Sequence, residues 1–226
     1  MRVGDTVRRP RKSSSPFVAE LLVHLATQGC SWAPRYLGQD GSGRDVLSYL
    51  PGTVPAKWRT FADEQLRAAV TIVRALHDAT ADSNLCPGEV VCHHDPGPNN
   101  FVFRDNLPVA LIDFDTAAPG SVLEDLGYMA WAWCLSSNPL RGQVSAQARQ
   151  VRVLADAYGV GAAERMRLPD AIVDRLGRNV EFWCQHLQNP SDILTGSEKL
   201  PELVAWSKRE KQYVEAQREA LTRALR

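Results

Sequence analysis

Residues 93–113 contain four polar side chains whose types and spacing could support phosphoryl transfer. His93, Asp95 and Asn100 form an H-x-D-x-x-x-x-N array, and Asp113 follows thirteen residues after Asn100, at the end of an apolar run. Phosphoryl transfer requires one carboxylate that holds the acceptor hydroxyl, together with an amide and a second carboxylate that hold Mg²⁺ against the phosphates. Asp95 can hold the hydroxyl, while the oxygens of Asn100 and Asp113 suit a hard cation.

The same side chains also have purely structural interpretations. Asp95 precedes a Pro-Gly pair and could form a turn hydrogen bond, and Asn100 could be a turn residue before a strand. An acid after an apolar run, such as Asp113, is costly to bury unless it is paired or bound to a metal. The three residues together favour the catalytic interpretation, and His93 is interpreted as a structural residue that braces the loop.

A metallohydrolase ligand set is the competing interpretation of the His-His-Asp trio at residues 93–95. Such a site needs further histidine or carboxylate ligands. The remaining histidines, His24, His77 and His186, do not show tight ligand spacing. The phosphoryl-transfer interpretation is therefore preferred.

Two more acids follow the array. Asp115 lies two residues beyond Asp113 and is expected either to support the metal ligand or to face solvent, and a second-metal role stays open. Asp125 is expected to brace the loop that carries Asp95. The alternative for Asp125 is an ordinary acid in the first turn of a helix.

Composition disfavours several classes of protein. Lys plus Arg and Asp plus Glu both number 26 among 226 residues, so the zero net charge disfavours nucleic acid as a partner. No run of about 18 apolar residues is present, which disfavours a membrane span. The five cysteines contain no C-x-x-C pair, and reduced thiols in a cytoplasmic protein are the simplest interpretation.

The first fifty residues predict a strand, a helix and a hairpin. Residues 3–9 have strand character, and apolar residues of helical spacing follow Pro16. Residues 35–38 and 45–50 predict the hairpin. Pro51-Gly52 then interrupts the chain, so we expect a small lobe over residues 1–50 and a larger lobe over residues 51–226.

The larger lobe is predicted to be mostly helical. Val90 to Cys92 reads as a short strand that ends at the His-His-Asp loop, and residues 101–103 and 109–112 read as a hairpin. Helical spacing dominates residues 122–225, including a tryptophan-rich segment whose rings are expected to fill the core. The predicted fold class is therefore α+β with two unequal lobes.

Three stretches of this sequence resemble the aminoglycoside phosphotransferase (kinase-like phosphotransferase) family. They are Val-Val-Cys-His-His-Asp-Pro-Gly-Pro-Asn-Asn-Phe-Val-Phe at residues 90–103 and Ile-Asp-Phe-Asp-Thr-Ala-Ala-Pro-Gly at residues 112–120, followed by Glu-Asp-Leu-Gly-Tyr at residues 124–128. The resemblance implies a protein-kinase-like fold with a small β-containing N-lobe and a larger helical C-lobe. It also implies Asp95 as the catalytic base, and Asn100 and Asp113 as the magnesium ligands.

The resemblance extends to the N-lobe in reduced form. It implies that Arg8 or Arg9 contacts nucleotide phosphates and that Glu20 orients that arginine. Arginine in place of lysine is not a neutral exchange. The backbone of Ser48, Tyr49 and Leu50 would hold the adenine. Only six residues precede Val7, too few for the family's glycine-rich phosphate loop. Three explanations stay open: a misassigned start, a reduced lobe that still binds nucleotide, or a protein that is no longer a kinase.

These inferences predict a small-molecule kinase that uses ATP or GTP with Mg²⁺ to phosphorylate a hydroxyl group. The acceptor is expected to be an aminoglycoside, which would connect the protein with antibiotic resistance, or a related metabolite. The alternative, motivated by the missing glycine-rich loop, is a catalytically impaired kinase-like binding protein or a toxin-immunity protein.

Overall fold

The computed structural model of the protein describes residues 1–56, 59–188 and 197–226. Within these residues the chain forms eight short strands and seven α-helices, which is the predicted α+β class. The chain divides into two compact units, Met1–Asp125 and Leu126–Arg226. The predicted boundary after residue 50, between a small lobe and a larger one, is not the boundary between these units, and it stays a prediction.

The first unit begins with a four-stranded antiparallel sheet of order β1-β2-β4-β3. Its strands are β1 (Arg2–Val3), β2 (Thr6–Arg9), β3 (Tyr36–Gln39) and β4 (Asp45–Ser48). The prediction of one strand over residues 3–9 was wrong, because Gly4 has a φ of +56° and starts a two-residue turn there.

Two helices of the first unit bury the apolar faces that the sequence predicts. Helix α1 spans Ser15–Thr27, and the apolar residues after Pro16 lie on its buried side. Helix α2 spans Asp63–Thr80, and its predicted face is at most 1% exposed. The face of α2 consists of Leu66, Ala69, Val70, Val73 and Leu76.

Two pairs of short strands follow α2. Strand β5 (Val90–Cys92) pairs with β8 (Ala118–Gly120). Strand β6 (Phe101–Arg104) pairs with β7 (Leu107–Leu111). The turn between β6 and β7 consists of two residues with positive φ, Asp105 and Asn106, which confirms the predicted hairpin.

The second unit is helical in its described residues. Helix α3 (Val122–Met129) crosses the boundary between the units and continues into a π-helical turn at Ala130–Cys134. The later helices are α4 (Val144–Tyr158), α5 (Ala162–Gln188), α6 (Leu200–Ala216) and α7 (Arg218–Leu225).

Tryptophan rings fill the core of the second unit, as the sequence predicts. Trp131 and Trp133 are each 1% exposed. The Trp131 ring lies 5.6 Å from the ring of Tyr128 and 5.5 Å from that of Trp206. In the described part of the chain, no helix is long and apolar enough to cross a membrane.

Candidate active site

The loop that follows β5 is held by its own histidine. His93 is fully buried, and its Nε2 lies 3.0 Å from the carbonyl oxygen of Ile112. Its Nδ1 accepts a hydrogen bond from the backbone N–H of Asp95 at 3.3 Å, which makes Nε2 the donor to Ile112. The ring also packs edge-on against Phe114. With both nitrogens bonded, His93 has the contacts of a bracing residue and not those of a base.

Asp125 holds the start of the same loop from the N-terminal end of α3. Its Oδ2 and Oδ1 accept the backbone N–H groups of His93 and His94, each at 2.7 Å, and Oδ2 lies 3.0 Å from Nε2 of His77. The residue has no exposed surface. Burial alone would raise the pKa of Asp125, but the hydrogen bond and charge of His77, together with the backbone N–H of His93, lower it.

Asn100 orients the Asp95 side chain. The Asn100 amide nitrogen donates to the Asp95 carbonyl oxygen at 2.8 Å and to its Oδ2 at 2.9 Å. Asn100 is buried and its amide oxygen accepts from Asn99 at 3.2 Å, whereas Asp95 is partly exposed. The five-residue spacing of the array thus becomes direct contact between its acid and its amide.

The β6–β7 hairpin brings Asp113 close to Asn100. Phe101 pairs with Leu111 in the hairpin, and the Ile112 backbone N–H donates to the Asn100 carbonyl oxygen at 2.9 Å. Asp113 is therefore one residue beyond a direct backbone partner of Asn100. It has a left-handed backbone with φ of 64° and an exposed side chain.

The charge of Asp113 is influenced by an acid and two cations nearby. Partial desolvation, and then the charge of Asp115, raise the pKa of Asp113, although Lys12 and Arg9 oppose the rise. A metal ion bound to Asp113 would remove this disadvantage, because it favours the charged carboxylate.

A cavity of about 320 Å³ lies in the first unit, within the usual range for ligand pockets. Arg9 and Asp113 bring opposite charges to its wall, and the remaining lining is largely apolar. The guanidinium Nε of Arg9 is buried and has no hydrogen-bond partner among the described residues. The other lining residues are Val7, Pro34, Leu47, Ser48, Tyr49, Leu50, Gly52, Val54, Val102 and Ile112.

The structure separates the two arginines that the sequence left as alternatives. Successive side chains of a strand point to opposite faces, and Arg9 lines the cavity while Arg8 pairs with Asp40 at 3.3 Å. Arg9 forms an ion pair with Asp115. Glu20 is exposed and pairs with neither arginine among the described residues, so the expected Glu20 contact is absent. The two arginines pair instead with Asp40 and Asp115.

The predicted adenine-binding segment lies in the cavity wall. Ser48 is bound through its backbone N–H to the Arg35 carbonyl oxygen at 2.9 Å, and Tyr49 donates to the Asp5 carbonyl oxygen at 2.8 Å. Leu50 continues the wall. These bonds fix the segment but occupy the backbone N–H groups of Ser48 and Tyr49, so those two donors are not open to a ligand, and adenine binding here stays a prediction.

Gly52 closes this wall, which the sequence alone did not indicate. Its φ is +148°, and a Cβ there would lie 2.5 Å from both the Phe103 carbonyl oxygen and Cγ1 of Val102. The next residue, Thr53, exchanges backbone hydrogen bonds with Phe103 at 3.0 and 2.8 Å. The Pro-Gly pair was interpreted only as an interruption, whereas it allows the chain to pass directly against β6.

The metallohydrolase alternative receives no support from the geometry. In the described part of the chain, the histidine, cysteine and carboxylate side chains near enough to share an ion are His77, Cys92 and Asp125, and not the trio at residues 93–95. Burial, and then the charge of Asp125, raise the pKa of the Cys92 thiol, which opposes the thiolate that a metal needs. Asp125 is also already bonded to backbone donors.

The fold places the molecule among protein-kinase-like proteins. The structure matches a choline/ethanolamine kinase family protein from Mesorhizobium loti with a TM-score of 0.62 and 17% identity, over 98% of this chain and 88% of that one. It matches a ternary complex of streptomycin, ATP and APH(2")-IIa with a TM-score of 0.56 and 14% identity, over 86% of each chain.

Sequence comparison identifies the family. A model described as the phosphotransferase enzyme family matches residues 85–169. The trifolitoxin immunity protein of Rhizobium leguminosarum bv. trifolii is 32% identical over an alignment of 197 residues that covers 76% of this chain and 74% of that protein. The chain belongs to the phosphotransferase enzyme family.

Proposed function

We propose that this protein transfers a phosphoryl group from ATP or GTP to a hydroxyl group of a small molecule. The observation that carries the proposal is the arrangement around Asn100. Its amide bonds Asp95, and its backbone bonds the residue next to Asp113. A candidate base and two candidate metal ligands are thereby connected through adjacent residues, and Asp113 also lines the cavity.

Asp95 would hold the acceptor hydroxyl and accept its proton late in the transfer. The amide of Asn100 fixes the orientation of the Asp95 carboxylate, and the backbone contact with His93 fixes its main chain. Positioning of this kind supplies a large part of the rate in phosphoryl transfer, because the protein does little covalent chemistry itself.

The cavity and its acids fit a nucleotide with Mg²⁺. The apolar wall suits a base, and the unpaired Nε of Arg9 suits a phosphate oxygen. Asn100 and Asp113 supply the hard oxygen ligands that magnesium prefers. When bound, magnesium neutralises charge that develops on the phosphates.

The test begins with calorimetric titration of Mg-ATP and Mg-GTP into the purified protein. A screen of hydroxylated acceptors, aminoglycosides included, with labelled nucleotide follows. The proposal predicts binding at millimolar nucleotide or below, and labelled product that disappears in Asp95→Asn. Absence of nucleotide binding and of a thermal shift would end the proposal.

A second candidate function is immunity to a toxin. The observation that favours it is the 32% identity to the trifolitoxin immunity protein across most of both chains. Immunity could come from binding the toxin, or from phosphorylating it, in which case the two proposed functions coincide.

Trifolitoxin itself provides the test of this second candidate. The chain and its Asp95→Asn variant would each be expressed in a sensitive strain. Protection that both confer indicates immunity by binding, whereas protection that only the unaltered chain confers indicates immunity by transfer. Sensitivity with both excludes immunity to this toxin.

A cytoplasmic location goes with the proposed transfer. All five cysteines are free thiols, and nucleoside triphosphates are available in that compartment. Fractionation of the native host would test this part.

A further inference from the structure

Asp115 binds two cations that come from one short segment of the chain. Its Oδ1 accepts from the guanidinium of Arg9, and its Oδ2 accepts from the ammonium of Lys12 at 2.6 Å. The Asp115 side chain is 16% exposed and that of Arg9 is 18% exposed, whereas Lys12 is 64% exposed. Two positive charges are thus gathered on a single, mostly covered carboxylate.

The backbone of Lys12 is anchored independently of this ion pair. Its N–H donates to Oγ of Ser15 at 3.0 Å, and its carbonyl oxygen accepts from the Ser15 N–H at 3.1 Å. The Ser15 hydroxyl in turn donates to the buried carboxylate of Asp45 at 2.6 Å. The backbone of Lys12 is therefore fixed, and only its side chain can change conformation.

Arg9 lies in the charged part of the cavity wall, and Lys12 is bound to the same carboxylate as Arg9. Arg9 and Asp113 line the cavity, and the charges of Arg9, Lys12 and Asp115 all act on the Asp113 carboxyl. One Asp115 oxygen is bound to each cation, so either cation can gain a second anionic partner without leaving the first. A polyanion in the cavity would meet two oriented donors.

We propose that Lys12 and Arg9 together bind the phosphates of the nucleotide and that Asp115 is the positioning residue that holds both cations toward them. This inference rests on the proposed phosphoryl-transfer function and extends it. It assigns a phosphate contact to the segment between β2 and α1. It also assigns to Asp115 the pairing with Arg9 that the sequence had suggested for Glu20.

Holding two cations on one acid has a physical advantage. Arg9 and Lys12 repel each other when no phosphate is present, and their side chains lose conformational entropy when they are ordered. The Asp115 carboxylate offsets both costs before the ligand arrives. Preorganised donors of this kind bind an anion more tightly than mobile ones do.

The first experiment compares Lys12→Met with Lys208→Met, an exposed lysine of α6 that serves as the matched control. Calorimetry would use adenosine, Mg-ADP and Mg-ATP as probes. We expect Lys12→Met to weaken Mg-ATP about tenfold, the loss of one charge-assisted hydrogen bond. Adenosine affinity should stay unchanged, and Lys208→Met should match the unaltered chain with all three probes.

The second experiment measures the Mg-ATP affinity of Asp115→Asn. The direction of the change distinguishes a positioning role of Asp115 from simple repulsion of phosphates. If Asp115 only repelled phosphates, its neutralisation would tighten Mg-ATP binding. The positioning role predicts weaker Mg-ATP binding with adenosine unaffected, and a Lys12→Met/Asp115→Asn double variant that loses less than the sum of the single losses.

The outcomes separate this inference from the proposed function. If the unaltered chain binds Mg-ATP and Lys12→Met binds it equally well, the phosphate contact of Lys12 is overturned while the kinase proposal stands. If Asp115→Asn tightens Mg-ATP, the positioning role is overturned. If the unaltered chain binds none of the probes at millimolar concentration, the proposed function fails and this inference fails with it.

Discussion

The loop that carries Asp95 and the charge cluster beside Asp113 are both organised around an aspartate, but in different ways. Asp125 is fully buried, and two of its partners are backbone N–H groups. Asp115 is partly exposed, and its partners are the long side chains of Arg9 and Lys12. Asp125 therefore binds backbone donors, which cannot move unless the main chain moves. Asp115 binds side-chain donors, which can change rotamer.

This difference matches the two tasks of the proposed reaction. A base must stay within hydrogen-bond reach of the acceptor, so a rigid loop serves it. Phosphate-binding side chains must accept a ligand and release a product, so side chains that an acid orients without fixing their main chain serve them. The proposed chemistry thus lies on the rigid region, and the proposed nucleotide exchange lies on the adaptable one.

The largest expected effect separates the two regions by function. Asp95→Asn should lower the transfer rate by roughly 10²–10⁴-fold, because it removes the proposed general base, and should leave Mg-ATP affinity nearly unchanged. Arg9→Met should instead weaken the binding of Mg-ATP. Steady-state kinetics and calorimetry on both variants check this. Turnover of Asp95→Asn within tenfold of the unaltered chain would contradict the assignment.

The second prediction compares the two acids by stability. Asp125→Asn places an amide N–H against backbone donors in a buried site, and should lower the free energy of unfolding by about 3 kcal/mol. Asp115→Asn removes partly exposed ion pairs and should cost at most about 1 kcal/mol. Urea denaturation of both variants measures the difference, and equal losses would remove the distinction between the regions.

A third prediction concerns the rigid part of the cavity wall. Gly52→Ala should cost about 1–3 kcal/mol, because alanine is strained at a φ of +148° and its Cβ would meet the main chain of Phe103. Gly41→Ala is the matched control, since a Cβ there meets nothing within 4 Å. Thermal denaturation of the two variants checks the difference. Similar melting temperatures would show that the backbone around residue 52 moves enough to accommodate alanine.

The smallest expected effects are pH dependences of opposite sign. Asp125 has a lowered pKa, so its stabilising effect is complete above its unfolded pKa of about 3.9 and is lost as pH falls through the lower folded value. Asp113 has a raised pKa, so stability falls as pH rises from the unfolded value through the folded one. Asp113→Asn should therefore melt slightly higher than the unaltered chain at pH 7, and this gain should vanish near pH 3.

Calorimetric melting at pH 3 to 7 would check both signs on the ligand-free protein. The deficit of Asp125→Asn should be constant above about pH 4 and narrow below it. A deficit that widens in acid would mean that Asp125 is not the charged group of its network. A lower melting temperature of Asp113→Asn at pH 7 would show that its carboxylate stabilises the ligand-free fold.

Local patterns were enough to predict several elements of the fold. The apolar stripes of α1 and α2 and the β6–β7 hairpin follow from the spacing of neighbouring residues. The split of residues 3–9 was missed, although the Gly-Asp pair after Val3 is a turn signal. Nothing in the sequence marked Lys12, because a basic loop usually indicates solvent exposure.

The candidate site likewise contains residues that the sequence predicts and one choice that it leaves open. Its members Asp95, Asn100 and Asp113 lie within nineteen residues of one another, so their types and spacing were readable from the chain. The choice of Arg9 over Arg8 depended on which face of β2 meets the cavity. Strand periodicity puts the two on opposite faces but does not say which face is which.

Residues close along the chain were enough to predict the helices, the hairpin and the candidate array of residues 93–113. The tertiary structure decided the partners of the charges. Arg9 meets Asp115 across 106 residues, and Asp125 reaches back 32 residues to the N–H of His93. Contacts over such separations depend on how whole elements pack, which the spacing of residues does not encode.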